Sequence, residues 1–226
     1  MKQTTKRELW AGIGILLVFA LWTALIRLID VQEAGPNGSL IGFATLNLRF
    51  HRLTGVHMNL YTITDWLGLV PLFVCLCFGG FGFVQMIRRR SLRQVDPDIL
   101  MLGLYYILVI LGYLFFEAVP INYRPILIQG QLEASYPSST TLLVLSVMPT
   151  LKLQIDRRSK RVALKVVVGA FVVTFSAFMV IGRLISGVHW ATDIIGAVFL
   201  SLGLYLIYRF GVGTLDRHRE KKHGIQ

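Results

Sequence analysis

An all-α polytopic membrane protein, a bundle of six transmembrane helices, is predicted by three features of this 226-residue chain. Its composition is 54% hydrophobic and only 15% charged, far from that of a soluble domain. Its apolar residues gather into stretches of about 20, the length that crosses the roughly 30 Å hydrocarbon layer as a helix. Its basic residues concentrate in alternate connections, as they do in multi-span proteins. Backbone groups cannot stay unpaired in lipid, so the spans are expected as helices. The length suits one integral membrane domain covering the whole chain, with no internal repeat, low-complexity segment or soluble domain.

The first span, Leu9–Ile29, follows the basic start MKQTTKR. It resembles a signal sequence but lacks a small-residue cleavage site, so it reads as a retained helix that also directs insertion. The second, Trp66–Ile87, holds Cys75 and Cys77, the only cysteines. A Cys-x-Cys pair without a second thiol pair is a poor zinc site and reads as ordinary packing. The third, Ile99–Ala118, is a continuous apolar run. The fourth, Tyr136–Leu153, is short and contains Pro149, which removes an interior hydrogen bond. Val162–Ile181 and Trp190–Phe210 complete the six.

The net charge of +11 is explained by placement. The N-terminal tail carries Lys2, Lys6 and Arg7, and the second-to-third connection carries Arg88, Arg89, Arg90 and Arg93. The fourth-to-fifth carries Lys152, Arg157, Arg158, Lys160, Arg161 and Lys165. The C-terminal tail adds Arg209, Arg217, Arg219, Lys221 and Lys222, so 18 of 23 basic residues fall on one side. By the positive-inside rule both termini are expected to be cytoplasmic; a multi-pass protein of the cell membrane is the simplest placement, and a lumenal face is equivalent by topology. The charge is therefore topological, attracts anionic head groups as a by-product, and gives no support to a nucleic-acid partner.

This orientation puts Glu117, Arg124, Glu133, Ser138, Ser139, Thr140, Arg183, His189 and Asp193 at one depth, on the outer side. Ionisable residues near a bilayer core are costly and usually line a cavity or a site. In GRLISGVHWATD (182–193), His189 and Asp193 are four apart, on one face if the last helix begins near Val188. Asp193 could then fix the imidazole tautomer and support its charged form, with Arg183 as a fork for phosphate oxygens. Alternatively, Arg183 and Asp193 form an interfacial ion pair and His189 caps the turn. In EASYPSSTT, proline followed by hydroxyl residues reads as a helix start, where free N–H groups make an anion site or are simply capped. In FEAVPINYRPILI, Arg124 precedes Pro125, so its backbone is expected to be extended. Its side chain either serves the site or snorkels to head groups.

Together these segments resemble the type 2 phosphatidic acid phosphatase superfamily of membrane lipid phosphatases. That family shows Lys-x6-Arg-Pro, Pro-Ser-Gly-His and Ser-Arg-x5-His-x3-Asp. Here they stand as EAVPINYRP, PSST and GRLISGVHWATD, in the same order over residues 117–193. The resemblance implies that His189 is the nucleophile forming a phosphohistidine, oriented by Asp193. It implies that Arg124, Arg183, Ser138, Ser139 and Thr140, with the amides of the fourth helix, bind the phosphate. It implies no metal and no cofactor. Such a site works by positioning and charge stabilisation, which is most of what phosphoryl transfer asks.

Four positions depart from the pattern: Glu117 replaces lysine, Gly182 serine, Ser139 glycine and Thr140 histidine. A threonine hydroxyl is too weak an acid to protonate a leaving group near neutral pH. Three readings follow: a non-catalytic lipid-phosphate binder, a proton from His57, Tyr123, Tyr136, Glu117 or Glu133, or a substrate needing little acid help. A diphosphate expels a phosphate whose relevant pKa is about 6, which favours a polyprenyl diphosphate. The leading expectation is an enzyme acting on a lipid phosphate or diphosphate at the outer face. The oligomeric state is not legible. A transporter is disfavoured because few ionisable groups sit at the midplane. The long connection from Asp30 to Thr64, with a short interfacial helix, reads either as a surface-lying connector or as a cover that guides a lipid to the site.

Overall fold

The computed structural model describes residues 2–222, with side chains from 6 to 219. The side chains of Lys2, Lys221 and Lys222, counted above among the basic tail residues, lie outside that range. Eight α-helices form among the described residues: α1 (Lys2–Leu28), α2 (Ala44–Thr54), α3 (Met58–Leu67), α4 (Leu69–Arg89), α5 (Pro97–Ala118), α6 (Ser139–Arg158), α7 (Val162–Ile185) and α8 (Ala191–Lys222). Two-residue strands, β1 (Gln32–Glu33) and β2 (Leu40–Ile41), pair antiparallel in the α1–α2 connection.

Among the described residues, five segments are long and apolar enough to cross a membrane: Lys6–Leu28, Met58–Arg89, Pro97–Ala118, Val162–Ile185 and Ala191–Arg219. The second unites α3 and α4, because Gly68 between them keeps helical backbone angles. The fourth expected span, now α6, does not qualify by composition, and its place explains why. It packs against α4, α5, α7 and α8, so its polar residues meet protein rather than lipid. Tyr106 Oη and Thr150 Oγ1 share a hydrogen bond of 2.7 Å, and Gln154 Nε2 donates to Tyr208 Oη at 3.0 Å. Tyr105 Oη donates to the Ser146 carbonyl beside Pro149, through which the helix runs on.

The expected boundaries need correction. Residues 136–138 precede α6 as irregular chain, since Pro137 biases Tyr136 away from helix. Helix α7 extends to Ile185, and α8 starts at Ala191 rather than near Val188.

Helices α1 and α8 run antiparallel in close contact. A Cβ on Gly12 would fall 2.9 Å from Ile207 Cγ1, and one on Gly203 would fall 2.7 Å from Leu16 Cδ2. Small residues let helix axes approach this way in membranes. The start of α1 and the end of α8 therefore share one end of the bundle, where ion pairs tie the helices: Asp98 with Arg158 at 2.7 Å, and Arg157 with Asp216 at 2.7 Å.

At the other end the α1–α3 connection is more than a surface-lying connector. The expected short helix forms as α2, and Ile41, Ala44 and Trp190 make a small apolar core beneath it. Buried Asn47 donates to the Gly42 carbonyl and to Thr192 Oγ1, both at 2.9 Å. His51 Nε2 meets the Gly187 carbonyl at 3.1 Å. The connection thus braces the α7–α8 turn.

Candidate active site

Four chain segments converge at that end. The α5–α6 connection doubles back on itself, with Tyr123 bridged to Ala134 and the Arg124 N–H donating to the Glu133 carbonyl at 3.0 Å. Arg124 lies in irregular chain just before Pro125, which disfavours helical backbone at this position. Its side chain pairs through Nε with Glu133 Oε2 at 2.9 Å, and this aims Nη1 at His189 Nε2, 3.4 Å away.

His189 lies in the short turn before α8, not on the helix. Gly187 in this turn has φ +73, and a Cβ there would fall 2.1 Å from the Gly55 carbonyl oxygen, so only glycine fits. The imidazole Nδ1 is 3.1 Å from the Ser135 carbonyl. A carbonyl only accepts, so Nδ1 carries the proton and Nε2 keeps its lone pair toward Arg124. Burial, with the Arg124 and Arg183 guanidiniums nearby, holds His189 well below the ordinary imidazole range. It is neutral at neutral pH, with a nitrogen free to attack.

Asp193 occupies a different place from the one its spacing suggests. Because α8 starts at Ala191, the carboxylate reaches back to the helix entrance. It accepts from the Trp190 N–H at 2.9 Å and from Asn122 Nδ2 at 3.3 Å, half of a capping box. Its distance to His189 Nδ1 is 3.8 Å. The Ser135 carbonyl therefore accepts the imidazole N–H, while Asp193 fixes the turn from behind.

Arg183, 1% exposed, projects from the end of α7. It does not pair with Asp193. Its guanidinium stacks on the Tyr61 ring at 4.9 Å, and the Arg124 guanidinium lies 5.9 Å from the same ring. Tyr61 thus gathers two cations side by side despite their repulsion. Arg183 Nη1 donates to Thr64 Oγ1 at 3.4 Å, and Nη2 stands 3.6 Å from Asp65 Oδ1. Its Nε is buried without a hydrogen-bond partner among the described residues.

A cleft of about 250 Å³ opens over Arg124 and His189, lined also by Tyr113, Glu117, Glu133 and Ser139, whereas Arg183 and Asp193 lie behind its wall. Of the three hydroxyl residues at the start of α6, only Ser139 lines it. Ser138 is fully buried and donates to Thr141 Oγ1 at 3.1 Å. Thr140 lines a neighbouring apolar groove of about 390 Å³ between α4 and α5, together with Asp65 and Gly68. Tyr113 and Ser139 border both spaces.

The candidate proton donors separate as well. His57 Nε2 meets the Thr54 carbonyl at 2.8 Å, and Tyr136 Oη pairs with Thr23 Oγ1 at 2.7 Å. The Tyr123 carbonyl is held by Trp190 Nε1 at 2.7 Å, and Tyr123 does not border the cleft. Glu117 and Glu133 line it. Sequence reasoning overlooked Tyr61, Thr64 and Asp65. The signal was the polar pair Thr64-Asp65 at the edge of an apolar run.

Residues 99–214, just over half of the chain, match the PAP2 superfamily. Among solved structures, the fold is similar to the crystal structure of the first transmembrane PAP2 type phosphatidylglycerolphosphate phosphatase from Bacillus subtilis. The TM-score is 0.58 at 16% identity, over 88% of this chain and 94% of that one. No curated protein sequence matches the chain. The transmembrane bundle, the three motifs in order and the matched region lead to one conclusion: the chain belongs to the PAP2 superfamily.

Proposed function

We propose that the protein is a membrane lipid phosphatase that transfers a phosphoryl group from a lipid phosphate or diphosphate to His189 and then to water. The observation that carries this reading is the pairing of Arg124 Nη1 with His189 Nε2 at 3.4 Å, inside a cleft that both residues line. A neutral, tautomer-fixed imidazole beside a buried arginine suits attack on a phosphorus whose oxygens that arginine holds.

In the first step the Nε2 lone pair attacks phosphorus and the bond to the lipid oxygen breaks. Arg124 and Arg183 hold the non-bridging oxygens, and the Ser139 side chain adds a contact at the entrance to α6. The Ser135 carbonyl keeps the proton on Nδ1 and steadies the imidazolium that forms. In the second step water takes the phosphoryl group from Nε2, and His189 returns to its neutral form. Metal-independent chemistry of this kind rests on the chain's own cations.

The placement follows the charge asymmetry of the sequence. The basic connections and both termini face the cytoplasm and the cleft faces outward, in a cell membrane. The apolar groove beside Thr140 suits the hydrocarbon part of the substrate, with the phosphate turned past Tyr113 and Ser139 into the cleft. A polyprenyl diphosphate is the substrate with the easiest leaving group, since Thr140 supplies no acid.

The test is phosphate release in detergent from dioctanoyl phosphatidate and from farnesyl diphosphate, by the unsubstituted protein and by His189→Ala. Release that depends on His189 supports the enzyme. Release that survives the substitution removes the nucleophile, and absence of release from both, with retained binding, makes the protein a lipid-phosphate binder.

A further inference from the structure

We propose that Glu117 is a catalytic residue that gives its proton to the departing lipid oxygen, so that the protein cleaves simple phosphate monoesters as well as diphosphates. This rests on the phosphatase reading above.

Each arginine of the site already has a carboxylate neighbour. Arg124 is paired with Glu133 at 2.9 Å, and Arg183 with Asp65 at 3.6 Å. Glu117 lines the same cleft and forms no ion pair among the described residues. A lipid phosphate bound here as its monoanion brings a proton that it can share with the neighbouring Glu117 carboxylate. A proton held between Glu117 and the bound substrate is then available when the ester bond breaks.

Position makes that proton useful. Tyr113 borders both the cleft and the apolar groove, and Glu117 lies four residues further along α5, on the same helical face. A lipid with its chain in the groove and its phosphorus at His189 brings its bridging oxygen through this passage. The other acids are worse placed. Glu133 is engaged by Arg124, Asp65 borders only the groove and is engaged by Arg183, and Tyr136 is turned onto Thr23. Asp193 is bound to the Trp190 N–H behind His189.

The proton count closes. His189 Nε2 bonds to phosphorus, the phosphorus–oxygen ester bond breaks, and the lipid alkoxide takes the Glu117 proton to leave as an alcohol. Water then attacks the phosphohistidine and gives its proton to the Glu117 carboxylate. Inorganic phosphate departs, and both residues return to their starting forms.

The leaving groups of the two substrates provide the test. Dioctanoyl phosphatidate expels an alkoxide and needs the acid. Farnesyl diphosphate expels a phosphate and needs it far less. In Glu117→Gln, kcat on the phosphatidate should fall at least about 100-fold, the usual loss of a general acid. On the diphosphate it should fall less than about 3-fold. An equal fall on both substrates, or no fall on either, overturns the proposal. So does an unsubstituted protein that cleaves the diphosphate but not the phosphatidate, a result that leaves the phosphatase reading standing. Absence of His189-dependent release from both overturns the phosphatase reading itself.

Discussion

Arg124 Nη1 stands 3.4 Å from His189 Nε2, across 65 positions of sequence, with the arginine held on its other edge by Glu133. A cation facing the unprotonated nitrogen of a buried histidine favours the neutral imidazole and waits for an anion.

The first expectation concerns that arginine. Arg124→Ala should lower kcat/KM for lipid phosphate by about 100- to 1,000-fold, the loss seen when one donor to a developing charge is removed. Arg124→Lys should recover little. An ammonium cannot engage Glu133 and the phosphate at once, as the planar fork does. Steady-state phosphate release in detergent measures both. A lysine variant with full activity would sink the bidentate role.

The second concerns pH. Burial and the two arginines hold His189 well below the ordinary imidazole range. The free enzyme should therefore keep its kcat/KM as pH falls through about 6.5, losing it only further down. Arg124→Met removes one repelling cation, so the residual activity of that variant should decline at higher pH. The sign for folding is the same. Unfolded His189 takes up a proton near pH 6.5 that the folded chain refuses, so this stabilisation is complete above that pH and lost as pH falls. An acid limb that Arg124→Met leaves in place would contradict the coupling.

The third separates stability from catalysis. At the end of the bundle away from the cleft, the Asp98 side chain is 7% exposed and lies 2.7 Å from Arg158 and 3.6 Å from Arg157. Asp98→Ala leaves Arg158 without its carboxylate and lets Arg157 keep only Asp216. The cost should be about 2 kcal/mol, below that of a fully buried pair because both arginines reach solvent. Thermal unfolding in detergent should register it, while kcat/KM at permissive temperature stays unchanged.

Much of this was legible in the residues. The spans, the side that gathers the polar groups, and the family followed from apolar length, charge alternation and the spacing of Arg124, Arg183 and His189. What was not legible depended on contacts between segments distant in sequence. The Ser135 carbonyl as partner of His189 Nδ1 cannot be read from spacing, because a backbone oxygen carries no residue signature. The pairing of Asp193 with His189 was inferred from helical spacing, and the later start of α8 turned that carboxylate to the Trp190 N–H instead. Helix α6 looked weak as a span because its composition reports on neighbours, not on lipid.

The last expectation comes from one of the departures from the family pattern. Gly182, where the pattern has serine, is matched by Thr64 on α3. A Cβ at Gly182 would fall 2.8 Å from Thr64 Cγ2, and Thr64 Oγ1 accepts from Arg183 Nη1 at 3.4 Å. The space and the hydroxyl near Arg183 are thus both supplied by Thr64. Gly182→Ser alone should overpack this contact and cost about 1–3 kcal/mol. Thr64→Ala alone should remove the acceptor and weaken phosphate binding through a less well held Arg183. The double variant Gly182→Ser, Thr64→Ala should regain much of both, because a small residue again faces a hydroxyl residue across the contact. A double-mutant cycle on unfolding and on KM measures the coupling, expected in the range of about 0.5–3 kcal/mol for touching residues. Strict additivity would show that Thr64 and Gly182 are independent, and that the glycine at this position has another cause.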